Sequence, residues 1–309
     1  RSNKMKNIVK MFGALLLMLS LAHAADNSIY IDQAGSSSTI SLKQDGGGNK
    51  IYGVGDTEGT AATFTGSSQT VDIQQIGGSN LLGIDLNTTV ASGVGIDLTY
   101  YITGSNSVAS IDVNGDGLGV AANNTADIQM TGDYNDLVFD LLGTGNSLTA
   151  TATGGSYNDF NFTINADTTT VGVAISGGGA NLTTLNLSSD NAVLDIDAIG
   201  ASNNVGVTQS GVGGASGMFF DLDINGSSNV VTTTQTDVGD HVMNIGIVGS
   251  SNLVTATQNG STGTAGHNIE LDIIGGSNTV SSSQTGAQDN DANINITGSS
   301  NTWSLIQSD

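Results

Sequence analysis

Along the C-terminal third of the chain, apolar and polar residues alternate strictly. Each alternating run ends at a glycine, and the alternation resumes beyond it. Phe220, Leu222 and Ile224 lead to Gly226; Met243, Ile245 and Ile247 to Gly249; Ile269, Leu271 and Ile273 to Gly275. A period of two marks strands with one buried and one exposed face. The residues between them, Asp221 with Asp223, Asn244 with Gly246 and Glu270 with Asp272, make the other face polar. A second strand follows each turn, as Val205 and Val207 do before Gln209.

The turn itself is a repeated phrase, G-x-x-N with Gln six places after the Asn. Gly200–Asn203 leads to Gln209, Gly226–Asn229 to Gln235, Gly249–Asn252 to Gln258, Gly275–Asn278 to Gln284, and Gly298–Asn301 to Gln307. The spacing alternates between 26 and 23 residues because the return loops at 210–217 and 259–266 are longer than the one at 236–240. Such periods signal stacked repeats, none of which buries its apolar face alone. The pattern predicts an all-β solenoid with two strands per turn and in-register layers. Variable loops on one edge are where such stacks accept insertions.

The same register extends towards the N-terminus. Ile29, Ile31 and Gln33 precede Gly35 and read as an upstream strand, with Ile40, Leu42 and Gln44 after the turn. Gly46–Asn49 makes the next turn, then Val71, Ile73 and Gln75 precede Gly77 and Asn80. From about 82 to 187 the pattern loosens but keeps turns at Gly104–Asn106, Gly132–Asn135, Gly143–Asn146, Gly155–Asn158 and Gly178–Asn181. There the Gln position becomes Asp112, Leu141, Ala152, Ile164 or Leu187. One domain of roughly twelve turns over 25–309, about 55–60 Å long at the strand spacing, is predicted.

Residues 1–24 read differently. Lys6 and Lys10 flank Met5, an apolar run from Met11 to Leu21 follows, and Ala22-His23-Ala24 ends it. This is the pattern of a secretory leader cut after Ala24, with 1–4 upstream of the start, and it is too short for a membrane span. Beyond it only Lys43 and Lys50 are basic against all 28 acids, which deepens the whole-chain net charge of −22. So acidic a surface argues against nucleic acid and anionic membranes. With no Cys and no Pro in 309 residues, no disulfide holds the fold.

In parallel in-register layers, identical Asn or Gln side chains fall above one another, and their amides bond from layer to layer. The ladder candidates are Gln33, Gln44, Gln75, Asn80, Asn203, Gln209, Asn229, Gln235, Asn252, Gln258, Asn278, Gln284, Asn301 and Gln307. Asn also suits a turn position with positive φ. The phrase I-x-I-x-Q-x-G-x-x-[NS]-x-I-x-x-x-Q, carried by Ile29 to Gly35 with Ser38 and Gln44, resembles the repeat of curlins, the subunits of curli amyloid fibres. Asn203 to Gln209 and its four successors match the second half. The resemblance implies a secreted, extracellular subunit that polymerises with itself. It further implies export through an outer-membrane pore and a nucleating partner subunit.

Chemistry beyond assembly is sparse. His241 and His267 each lie eleven residues before their repeat's Asn, so they stack in adjacent layers and read as solvated loop histidines. No nucleophile–His–acid spacing is present, so no enzyme is expected and no cofactor is required. Asp112, Asn114 and Asp116 fit the opening of a calcium loop, but its twelfth position is Asn123. Asp195 with Asp197 and Asp221 with Asp223 fall on the outward face, where stacking costs roughly 0.9 kcal/mol per pair in water. The alternative to a fibre subunit is a monomeric adhesin or an ice- or ligand-binding solenoid. Thr168–Thr170 and Thr232–Thr234 suggest it, although no Thr column is legible through the whole stack.

Overall fold

The computed structural model describes residues 17–18, 24–53, 60–88, 95–113, 123–211, 217–237, 241–260, 266–286 and 290–308. It is all-β, a parallel solenoid of about 11 turns. Each turn contributes one strand to each of two facing sheets. Sheet A holds 38–45, Gln69–Ile76, Ile96–Thr103, Asn124–Thr131, 146–153, 168–176, Asn191–Ile199, Met218–Asn225, His241–Val248, His267–Ile274 and Asp291–Thr297. Leu17–Met18 pairs onto 38–45 as a short first strand of sheet A, and sheet B runs from Ala24–Tyr30 to Ser300–Ser308. Every strand pairs in parallel with the strand one turn on, as short, one-directional coils require.

The alternation does what it predicts. His267–Ile274 is buried at every other residue, and its neighbours repeat the pattern in register, so one apolar column stacks on the next. The interior is a continuous apolar seam between the two sheets. Phe139, Phe160 and Phe162 fill its middle, with Phe139 and Phe162 edge-to-face at 6.4 Å between ring centres. Aromatics there replace the small residues of the later coils, where Ala256 and Ser282 face inward.

The corners explain the glycines. Between the sheets, a Cβ on Gly249 would lie 2.2 Å from the carbonyl of Gly226, and one on Gly275 would lie 2.1 Å from that of Gly249. Successive corners pack backbone on backbone, so only hydrogen fits. Positive φ is not the reason: among the described residues it occurs at Gly154, Gly155 and Asn123, and at none of the ladder Asn positions. The expectation that the turn Asn needs positive φ is therefore corrected.

Gly35 marks the opposite corner from the one predicted. Asn27 pairs with Asn49, so the first strand lies in sheet B, while Ser38 pairs with Gln69 in sheet A. Gln33 and Gln44 thus exchange sheets relative to the sequence expectation. Period two cannot tell which of two alternating strands comes first when both flanking turns contain Gly. Gly143–Asn146 is likewise a return corner, and Asn146 stacks on Asn124 inside sheet A.

Candidate functional site

The Asn positions form one column along the entry to sheet B. It runs Asn27, Asn49, Asn80, Ser107, Asn135, Asn158, Asn181, Asn203, Asn229, Asn252, Asn278 and Asn301. Except at the Ser107 layer, each Nδ2 donates to the Oδ1 of the next layer, for example Asn203 to Asn229 at 3.0 Å and Asn252 to Asn278 at 2.8 Å. The side chains are buried between the two end layers, and several also bond the corner carbonyls, as Asn229 does to Gly226. These bonds hold the corner shut, which couples the ladder to the turn that creates it. The sequence reading missed Asn27, Asn49, Asn135, Asn158 and Asn181 as ladder members; the signal for Asn27 was its spacing of six from Gln33.

A Gln column lies at the other end of the same strands. Gln209, Gln235, Gln258, Gln284 and Gln307 stack in register, and here each Nε2 donates backwards, Gln235 to Gln209 at 2.7 Å and Gln307 to Gln284 at 2.8 Å. Followed towards the N-terminus, the column reads Leu187, Ile164, Leu141, Val113, Leu86 and Phe64, and it ends at Gln33. Amides therefore stand at both ends of the column and hydrocarbon in the middle. Gln33 donates to Ser38 Oγ at 3.0 Å. Gln44 and Gln75 form a separate two-member ladder in sheet A at 2.8 Å, with the Tyr100 hydroxyl donating to Gln75.

The Asn column has one flaw. Ser107 accepts from Asn80 at 3.5 Å, and the Asn135 Oδ1 above it is buried without a hydrogen bond. Ser107, not Asn106, takes the column, three places after Gly104 as Asn80 is after Gly77, so Asp112 faces outwards and Val113 inwards. Ser107→Asn restores the missing amide at a layer whose neighbours already hold Asn. It should raise stability by about 1 kcal/mol in urea unfolding, whereas a loss would mean that this corner has no room for an amide.

The outward face of sheet A carries the acids. Asp195 stacks with Asp221, and Asp197 with Asp223, as predicted. Above them the columns change to Asn244 and Gly246, then Glu270 and Asp272, then Asn293 and Asn295. Asn244 donates to Asp221 at 3.0 Å and Asn295 to Asp272 at 3.1 Å. Amides thus separate carboxylates that would otherwise repel. Partial burial, then the neighbouring carboxylates, raise the pKa of Asp221 and Asp197. A carboxylate raised in this way destabilises the fold while charged, and that penalty disappears as pH falls through its folded-state pKa. Asp221→Asn should therefore stabilise the protein at neutral pH, and the gain over wild type should vanish in acid. A pH-independent difference in melting temperature would contradict this.

Other predicted sites resolve variously. His241 and His267 do stack, at 5.0 Å and 5° between rings, but they are buried rather than solvated, because their strands begin inside the seam. Of the calcium candidates, Asp112 lies on sheet B between Asp85 and Asp140, while Asn114 and Asp116 fall outside the described residues. Among the described residues, no three His, Cys, Asp or Glu come together to hold a metal. No described helix is long and apolar enough to cross a membrane. No Thr column runs through the whole stack, but hydroxyl columns cover the C-terminal layers of sheet B: Thr208, Thr234, Thr257 and Ser283 in one, Thr232, Thr255 and Ser281 in another. No family model, curated protein or solved structure matches the chain.

Proposed function

We propose that this solenoid is a secreted structural subunit that stacks end to end into an extracellular fibre of the curli type. One observation carries the reading: the first and last strands of sheet B bear the same phrase in the same columns. Asn27, Ile29, Ile31 and Gln33 stand at one end, and Asn301, Trp303, Leu305 and Gln307 at the other. Inside the chain Gln33 meets Phe64 rather than an amide, so the ladder it begins is completed only by another Gln column. Trp303 stacks on buried Val280 yet is 60% exposed itself, and a further layer would cover it.

Backbone parity agrees. Ser300 N–H donates to Gly276, and Gly286 N–H donates to Ser308, so even-numbered residues of the last strand face the previous coil. The odd-numbered ones, Asn301 to Gln307, present their N–H and C=O groups to the open edge. At the other end Ile31 N–H donates to Tyr52, leaving the even-numbered groups of the first strand facing outward. Setting Asn27 over Asn301 brings the two sets together, and a shift by one residue would not. In that register Asn301 donates to Asn27, and Gln33 to Gln307, following the sense of each column. The matching layer of sheet A is the level at which Leu17–Met18 pair with Ile40–Ser41. A chain cut after Ala24 leaves that layer open at every junction.

Electron microscopy of the purified chain from Ala25 tests the reading. Unbranched fibres with an axial subunit repeat of twelve sheet-B layers, about 58 Å, are expected. A protein that stays monomeric at high concentration in acid and at neutral pH would sink it.

A further inference from the structure

The two faces of the C-terminal half differ in charge. Between the Asn and Gln columns, the six sheet-B strands from Ala180–Ser188 to Ser300–Ser308 have no ionisable residue at any outward position. Sheet A of the same coils carries Asp195, Asp197, Asp221, Asp223, Glu270 and Asp272 outward. The earlier half of sheet B is acidic too, with Asp85, Asp112 and Asp140 in one column and Asp136 and Asp159 in another. Thr and Ser dominate the neutral area, and Val230 and Leu253 lie 40% and 46% exposed along one side of it.

We propose that this neutral half of sheet B is where a second copy of the chain docks, face to face and antiparallel. This does not depend on end-to-end growth. In a chain of net charge −22, two copies meeting through sheet A or through the earlier half of sheet B oppose carboxylate to carboxylate. The neutral area is the broad sheet face where they do not. A parallel alignment would also superpose the acidic halves, whereas an antiparallel one carries them away in opposite directions. Spacing favours the same occupant. Two copies share one layer repeat, so the threonine methyl groups of one fit between the layers of the other along the whole area. Two-fold pairing of one patch with itself is the commonest symmetry of soluble oligomers.

The size sets the strength. Six layers about 4.8 Å apart and strands about 23 Å wide give roughly 650 Å² per copy, at the low end for a specific interface. Pairing should therefore be weak and reversible. The centre of the patch lies between Thr232 and Thr255, so in a two-fold dimer each faces its counterparts closely.

The chain has no cysteine, so single substitutions report contact directly. The full chain is best used with Leu305→Pro added, which removes fibre growth as a confounding signal. With a short bis-maleimide, Thr255→Cys should give covalent dimer, while Asn244→Cys on sheet A should give at least tenfold less. Equal yields from the two positions, or none from either, would overturn the proposal. In sedimentation equilibrium, the double change Thr232→Asp and Thr255→Asp should weaken self-association at least tenfold, and an unchanged equilibrium would count against this face. A chain that stays monomeric yet restricts ice growth or is retained on a neutral glucan would also overturn it, because the hydroxyl grid would then serve water or sugar. Fibres that persist in the Leu305→Pro chain, with dimers intact, would instead fault the end-to-end reading alone.

Discussion

Gly249→Ala should cost about 3 kcal/mol or more and melt the C-terminal coils ahead of the rest. The added methyl would sit 2.2 Å from the Gly226 carbonyl, 2.6 Å from Asn229 Nδ2 and 2.6 Å from Asn252 Oδ1. The first is backbone, and the other two are the partners of a 2.8 Å ladder bond, so nothing at the end of a flexible side chain can give way. Relief requires separating two layers or breaking the Asn ladder, and both leave buried polar groups without partners. Gly178 is the control. A Cβ there meets nothing within 4 Å, so Gly178→Ala should be neutral or slightly stabilising through the unfolded chain. Thermal unfolding followed by circular dichroism reads both. Equal, small effects would mean that corner glycines answer to turn propensity and not to close approach.

That contrast also marks where the sequence is readable. The strands, their inward faces and the two ladders at the C-terminus were legible because period two and the G-x-x-N phrase coincide five times over. The N-terminal register was not. Gly35 and Gly46 both end alternating runs, and local pattern does not say which corner each makes; only the pairing of Asn27 with Asn49 decides it. Ser107 was overlooked for a related reason: it stands at the phrase's third place after Gly104 and fills the column, but the Asn one place earlier matches by residue type.

The burial of His241 and His267 was illegible because the return loops vary in length. Spacing from the Asn gives the layer, but not whether the strand has already entered the seam. The hydroxyl face was missed for a different reason. Thr232, Thr255 and Ser281 are separated by the alternating spacings of 26 and 23, so they form a column only once the repeats are aligned. Chemistry that depends on which layer lies over which needs the register, whereas chemistry local to one strand does not.

Leu305→Pro should abolish elongation while leaving the last coil folded. Leu305 is odd-numbered, so its N–H faces the open edge and takes no part in pairing with Ser277–Thr285. Proline there removes one donor from the growing edge and places a ring where the next strand must approach. At Ile306 proline would instead remove a donor to the preceding strand and loosen the coil itself. The two variants therefore separate edge chemistry from folding: circular dichroism should stay near wild type for Leu305→Pro and lose signal for Ile306→Pro. Leu305→Ala controls for the lost side chain and should slow growth without stopping it. The Leu305→Pro chain keeps an intact first strand, so it can add to a growing end and then block it. Small fractions mixed into wild type should shorten fibres, as seen by microscopy, in proportion to the fraction added. Normal fibres from pure Leu305→Pro would show that growth does not pass through this edge, and the solenoid would then have to work through its faces instead of its ends.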